Sequence, residues 1–205
     1  MSETAKRRTQ AERRAESGAK LLRAAIELIG EKGYSQTTLE DIGLRAGYSR
    51  GLVSHRYGSK EGLARALIKE ITRDLDQSGS GLGEQGISGL SALRAFIKRY
   101  ILNVKRAGAA TRAFYILMFE SLGPLDWLRK DFDKIAGRFL NFVVAALEEA
   151  KAAGEIPADT DCRTAGFHIV ASMRGFSLMW ITDPGSTDPD KLVDEFLYSL
   201  ETRFR

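Results

Sequence analysis

Apolar residues recur at every third or fourth position along most of this chain, and no stretch alternates apolar with polar. That spacing lines one side of a helix, whereas a half-buried strand needs a period of two. The expected class is therefore all-α. Leu21, Leu22, Ala25, Ile26 and Ile29 form the first stripe, and Gly30 and Gly33 supply a stop. A second, short helix opens in Thr37-Thr38-Leu39-Glu40-Asp41. Either Thr37 with Glu40 or Thr38 with Asp41 has the spacing of a reciprocal N-terminal cap. Leu39, Ile42 and Ala46 face inward, and Gly47 ends the helix because it tolerates positive φ. Ser49 caps a third helix reaching about Tyr57, with Val53 and Tyr57 inward. Gly58 breaks the chain. Ser59 then caps a longer helix with Leu63, Leu67, Ile71 and Leu75 on one face.

Residues 78–89 are Gly- and Ser-rich and read as a linker or a helix–helix loop. No strand precedes them and no Lys-Ser/Thr pair follows, so they do not have the form of a phosphate loop. Helices are expected over about 90–106, 111–121, 125–153, 162–182 and 189–204. All four prolines fall at the breaks between these segments or at the start of the last.

Composition narrows the function classes. The chain has 205 residues, 43% hydrophobic and 28% charged, an ordinary globular balance. Cys162 is the only cysteine, so no internal disulfide forms and a reducing cytoplasm suits it. With only His55 and His168 beside it, no zinc site is expected, and no cofactor is implied. No apolar run approaches the roughly 18–20 residues that span a bilayer, so no membrane partner is expected. The first fourteen residues have the charge but not the apolar core of a secretory signal. The net charge of +4 is unevenly placed: residues 1–77 carry 15 Lys/Arg against 11 Asp/Glu, and residues 78–205 carry 16 against 16. A basic segment beside a neutral one suits a polyanion-binding module joined to something else. Two readings of the Arg-rich stretch Lys6–Arg14 stand: an inert solvated tail, or a basic arm reaching DNA.

The segment Leu39–Tyr57 is helix, Gly-containing turn, helix, and each helix is too short to stand alone. Packed on the first helix, the pair makes a helix-turn-helix, whose second helix enters the major groove. On that second helix Ser49, Arg50, Leu52, Ser54, His55 and Arg56 are expected to point away from the core. Arg can bond guanine in bidentate fashion, Ser and His can bond bases or phosphates, and Leu can touch a thymine methyl. Lys60 and the N–H groups of the following helix suit phosphates. The alternative for His55 is an ordinary surface histidine.

The residues Thr37-Thr38, Asp41-Ile42, Ala46-Gly47-Tyr48-Ser49-Arg50-Gly51, His55 and Tyr57-Gly58-Ser59-Lys60-Glu61-Gly62-Leu63 resemble the DNA-binding domain of the tetracycline-repressor (TetR) family of transcriptional regulators. The resemblance in residues covers Ala19–Leu75; the rest matches in length and helix number. It implies about nine helices, with a basic tail over 1–15, a DNA-binding domain over 16–62 and a ligand-binding and dimerisation domain over 63–205. The implied DNA contacts are Thr37, Thr38, Ser49, Arg50, Gly51, Leu52, Ser54, His55, Arg56 and Lys60. The chain departs from the family in Val53-Ser54-His55-Arg56-Tyr57, where the recognition helix more often ends Leu-Tyr-x-His/Tyr-Phe. Ser54 thus replaces a phosphate-contacting Tyr, and Arg56 replaces a neutral side chain with a charged one.

The resemblance also implies a homodimer and an effector pocket among the C-terminal helices. Phe96, Tyr100, Phe114, Tyr115, Met118, Phe119, Trp127, Phe142, Met173 and Phe176 are the candidate lining residues, set against the plain alternative of core packing. Few charges fall among them, so the expected effector is small and apolar or aromatic. Two stripes suit a four-helix dimer interface: Ala165, Ile169, Ser172, Met173, Phe176 and Trp180, then Val193, Phe196, Leu197, Leu200 and Phe204. The alternative is that both bury within one subunit. His168 reads as a core or interface histidine, and Lys98, Arg99, Lys105 and Arg106 as solvated helix faces. The function expected is a repressor released from a pseudo-palindromic operator by its effector. The rivals are an all-α enzyme and a helical adaptor. Against the first, Cys162 and His168 are six apart and face different ways.

Overall fold

The computed structural model of the chain describes residues 9–84 and 86–204, with side chains described outside 74–84. Lys6, Arg7, Arg8 and the side chain of Leu75 lie outside the described residues. Among the described residues the regular structure is nine α-helices and one 3-10 turn, with no strand. The helices are α1 (Gln10–Gln36), α2 (Leu39–Ala46), α3 (Arg50–Tyr57), α4 (Lys60–Glu84), α5 (Gly89–Arg106), α6 (Gly108–Glu120), α7 (Arg129–Ala152), α8 (Cys162–Thr182) and α9 (Pro189–Arg203). The 3-10 turn is Asp126–Leu128. Contacts divide the chain into two compact units, one ending at Lys69 and one beginning at Glu70.

In the first unit α1 starts at Gln10, eleven residues before the apolar stripe does at Leu21. Thr9 accepts a hydrogen bond from the Glu12 N–H, and the Glu12 carboxylate accepts one from the Thr9 N–H. This reciprocal cap gives a polar, Arg-rich segment a helical start, so residues 10–15 are helix and not a frayed tail. The stop expected at Gly33 is a kink: Gly33 sits at φ 77°, ψ 166°, and helical turn resumes through Gln36. Leu21, Ala25, Leu28 and Ile29 of α1 are buried, as are Ile42 of α2 and Val53 of α3. Helix α4 buries Leu63, Ala64, Leu67 and Ile68.

Helix α4 also runs to Glu84, so residues 78–84 are helical where their composition suggested a linker. Glycine lowers helix propensity by about 1 kcal/mol without forbidding the conformation. No proline intervenes, and the break is confined to the few residues around Gly86, at φ 70°.

In the second unit α5, α7, α8 and α9 enclose one core, with Leu93, Ile97, Ile101, Val143, Leu147 and Met173 at its centre. Helix α6 packs on α8. Carboxylates at the end of α7 and in the turn just after it close the start of α5: the Gly89 N–H donates to Glu149 (3.1 Å) and the Leu90 N–H to Glu155 (2.8 Å). Both stripes read as a dimer interface are drawn largely into this core. Ala165, Ile169, Met173, Val193, Leu200 and Phe204 are buried within one chain, and Phe176, Trp180, Phe196 and Leu197 pack against them. Helix α8 has a second apolar side. Its exposed large residues are Phe167, Leu178 and Met179, with Tyr198 exposed on α9.

Candidate nucleic-acid interface

Helix α2 is set by its cap. The Asp41 N–H donates to the Thr38 hydroxyl and the Thr38 N–H to the Asp41 carboxylate, both at 3.0 Å. Of the two caps the spacing allowed, Thr38 with Asp41 is the one that forms. Lys32 of α1 donates to the same carboxylate at 2.8 Å. That bond, then the Thr38 N–H and hydroxyl, holds the Asp41 carboxyl down to about 2. At the other end, Arg45 grips Glu31 of α1 through two parallel bonds of 2.9 Å, and hydrogen bonding to that carboxylate raises the guanidinium's pKa.

The turn between α2 and α3 is tight for a reason legible in two glycines. Gly47 takes φ 77°, which lets the Tyr48 N–H return to the Gly43 carbonyl at 2.7 Å. A Cβ on Gly43 would stand 2.8 Å from the Tyr48 carbonyl oxygen, so the close approach of α2 to the turn requires glycine. Ser49 then caps α3, accepting from the Leu52 N–H at 3.3 Å.

Val53 is fully buried, so the opposite edge of α3 faces out. Ser49, Arg50, Gly51 and His55 are exposed, and Leu52 and Ser54 are half-buried beside them. Arg50 and His55 together present cationic and hydrogen-bonding groups along an eight-residue helix.

Three expected contacts sit differently. Thr37 is 1% exposed, and its hydroxyl donates to the Gly33 carbonyl at 2.8 Å, which secures the kink of α1. Arg56 is turned onto α1: its guanidinium donates to the Ser17 hydroxyl at 3.3 Å and lies over the Tyr57 ring. The Lys60 ammonium lies 4.2 Å from the Tyr34 ring centroid and donates to the Ser35 carbonyl at 3.1 Å. Thr38 is exposed at the N-terminus of α2. The early start of α1 also brings in residues that sequence reading left in the tail. Arg13, Arg14, Tyr48, Leu52, His55 and Arg56 line one groove of about 630 Å³. Tyr48 carried no functional signal in the sequence beyond its place in the turn.

In the second unit the ten candidate lining residues fall into separate groups. Phe96 (centroids 5.0 and 4.6 Å from Phe139 and Phe142), Tyr100 and Met173 are buried in the main core, and Phe142 is half-buried beside Phe96. Phe114 packs edge-on to Phe132 at 5.3 Å and to Tyr115 at 5.7 Å, and Tyr115 donates to the Arg174 carbonyl at 3.2 Å. Met118, Trp127 and Phe176 are half-buried, and Phe119 is exposed, 6.1 Å from Tyr115. Between the groups lies one polar pair. The Tyr100 hydroxyl is 2.7 Å from Ser177, whose own proton goes to the Met173 carbonyl at 3.0 Å. Ser177 has one proton to give, so Tyr100 is the donor in this pair. Burial pushes the Tyr100 hydroxyl far above the ordinary tyrosine range, and it stays protonated. Ser177 was missed in the sequence; its signal was one hydroxyl four residues beyond Met173 on an apolar stripe. No helix among the described residues is long and apolar enough to cross a membrane.

Residues 21–67 match the family model "Bacterial regulatory proteins, tetR family", and residues 89–182 match "Tetracyclin repressor-like, C-terminal domain". The HTH-type transcriptional regulator BetI of Burkholderia thailandensis is 44% identical over 57 residues, 28% of this chain and 29% of the relative. The chain therefore aligns with under a third of the length of the curated relatives it matches. Two solved structures are similar in fold over most of both chains. The Pseudomonas aeruginosa protein NalD, described as the secondary repressor of the MexAB-OprM multidrug efflux pump, has a TM-score of 0.73 at 23% identity, covering 94% of this chain and 96% of its own. A SmeT–triclosan complex has a TM-score of 0.75 at 21% identity, covering 89% and 90%.

Proposed function

The chain belongs to the tetR family of bacterial regulatory proteins, and on that premise we propose that it is a DNA-binding transcriptional repressor released from its operator by a small apolar effector. The observation that carries DNA reading is the exposed edge of α3. Arg50, Gly51 and His55 are exposed while Val53 is fully buried, on a helix capped by Ser49 and held by the tight Gly43–Tyr48 turn. In this reading Arg50 meets a base edge and His55, Ser49, Leu52 and Ser54 flank it. Thr38 and Lys60 meet phosphates at the starts of α2 and α4, Lys60 by swinging off Tyr34. Thr37 acts indirectly, by shaping the kink that precedes α2. DNA reading belongs to the unit ending at Lys69, and effector binding and dimerisation to the unit beginning at Glu70. No catalysis is part of this reading.

The effector reading rests on the aromatic groups about Phe96, Tyr100 and Phe142 and about Phe114, Tyr115 and Phe119, with Met118, Trp127, Met173 and Phe176 beside them. Most of these are packed against one another, so in this reading the effector enters by parting them, and its affinity for the parted form shifts the population away from DNA. That NalD is a repressor and that SmeT binds triclosan in the solved complex lends support by analogy. The homodimer uses the outward side of α8, with Phe167, Leu178 and Met179, and Tyr198 of α9. Two subunits present their α3 helices to half-sites of a pseudo-palindrome in a cytoplasmic setting.

The test is selection of bound duplexes from a random pool, repeated with hydrophobic and aromatic compounds. A recovered inverted repeat that dissociates with one of them supports the reading. Equal binding of all duplexes at moderate salt overturns it. Sedimentation at micromolar concentration tests the dimer: a monomer there removes it.

A further inference from the structure

Arg56 was expected to face DNA. The geometry points to a different role: we propose that Arg56 is a latch, seated on Gly18 and Ser17, that fixes the pitch of the recognition helix against α1. The proposal rests on the DNA-reading function given above and deepens it, by assigning discrimination to a residue that touches no base.

Four observations converge at one turn of α1. The Arg56 guanidinium donates to the Ser17 hydroxyl at 3.3 Å, and that hydroxyl donates on to the Arg14 carbonyl at 3.0 Å. Gly18 is buried, and a Cβ there would overlap the guanidinium, so the absence of a side chain makes the seat. The next residue, Tyr57, donates its hydroxyl to the Gly18 carbonyl at 3.4 Å. The Arg56 guanidinium also lies 5.8 Å from the Tyr57 ring centroid, within cation–π reach. Adjacent residues at the C-terminal end of α3 thus grip one turn of α1, Arg56 at Ser17 and Gly18 and Tyr57 at Gly18. The N-terminal end of α3 is already set by the Gly43–Tyr48 turn. The latch is therefore what holds the helix from swinging about that turn. A planar guanidinium suits the seat, because it can lie flat on a Cα while donating from its edge; an ammonium cannot.

A latch and a phosphate ligand make different predictions. A phosphate ligand lost from a protein lowers the slope of log affinity against log salt by about 0.9, and weakens specific and nonspecific duplexes alike. A latch carries no phosphate, so the slope stays and only the specific complex suffers.

The experiment uses the full chain, the duplex recovered by selection and a scrambled duplex of equal length, titrated over a range of potassium chloride. Hydrogen exchange of the α3 amides is measured without DNA. Two variants are compared with the unchanged protein. Gly18→Ala alters no charge and improves helix propensity in α1, yet pushes the guanidinium off its seat. Arg56→Gln removes the charge. The latch predicts that both lower the specific-to-scrambled affinity ratio about tenfold, leave the salt slope unchanged, and speed exchange within Arg50–Tyr57 relative to α2. A slope lowered by about 0.9 in Arg56→Gln, with the ratio intact in Gly18→Ala, makes Arg56 a phosphate ligand and overturns the proposal. Unchanged α3 exchange in Gly18→Ala overturns it irrespective of DNA, and stands even where Arg56→Gln fails to fold. If the unchanged protein shows no preference for any duplex, the DNA-reading function fails instead, while the exchange measurement still decides the latch.

Discussion

The two units hold their shapes by different means. Up to Lys69, short helices are tied by directional polar contacts: the Thr38–Asp41 cap, Lys32 to Asp41, Arg45 to Glu31, and Arg56 to Ser17. From Glu70 on, long helices meet through aromatic rings with centroids 4.6–5.4 Å apart, and Tyr100–Ser177 is a buried polar tie among them. Exposed ion pairs contribute little stability, so those of the first unit serve geometry more than stability. A surface that must present side chains at fixed positions needs contacts with direction. An interior that must part for a ligand is better built from contacts without it, because rings can slide and repack at small cost.

The difference can be broken hardest from the apolar side. Phe96 is 2% exposed and meets Phe139 and Phe142. Phe96→Ala should lower the unfolding free energy by about 3–5 kcal/mol, read from urea melts. A loss under about 1 kcal/mol would mean that this part of the core is already loose. In the first unit the sharpest single change is Gly62→Ala. A Cβ there would run into the Tyr57 backbone carbonyl, an obstacle that cannot rotate away as a side chain can. We expect a cost of about 1–3 kcal/mol, carried as a shift of α4 away from the end of α3. If the melt is unchanged while duplex binding falls, the strain is absorbed in the geometry of α3 alone.

The first unit was the more legible of the two, for a physical reason. Caps and left-handed glycines are local: Thr38 with Asp41, Ser49 with Leu52 and Gly47 each act within a few residues, so sequence spacing carries them. The start of α1 at Gln10 was equally local, yet the Thr9–Glu12 cap was hidden behind a run of arginines that reads as tail. The turn of Arg56 onto α1 was hidden because its partners, Ser17 and Gly18, lie 39 and 38 positions away, and helical periodicity says which face a residue occupies but not which neighbour bends it back. What covers the two stripes of α8 and α9 was hidden for a related reason. Periodicity finds an apolar side of α8 without saying whether α5, α7 or a second chain covers it. Residues 78–84 show the remaining gap: composition reports propensity, and a helix already under way can override it.

Tyr100→Phe asks how much a buried hydroxyl pair matters inside the apolar core of the second unit. The variant keeps the ring against Phe139 at 5.4 Å and removes the proton that Ser177 accepts. Ser177 still donates to Met173, so no donor is stranded, and the loss should be near the low end of about 1–3 kcal/mol in a urea melt. If effector binding is lost while stability barely moves, the hydroxyl belongs to ligand recognition.

The smallest effect sharpens the polar side. Asp41 is depressed to about 2 by Lys32 and the Thr38 cap, so its contribution is present above the carboxyl's ordinary pKa, near 4. It should be lost as pH falls through the folded value, over the window from about pH 4 to about pH 2. The urea midpoint of the unchanged protein should therefore exceed that of Asp41→Asn at neutral pH, and the gap should close across that window. Because the carboxylate is exposed, salt should also narrow the gap by screening Lys32, while leaving the bonds to Thr38 in place. A gap that persists at pH 2 would mean that the asparagine is disturbing α2 by its shape, and that the charge on Asp41 has no part in holding the helix start.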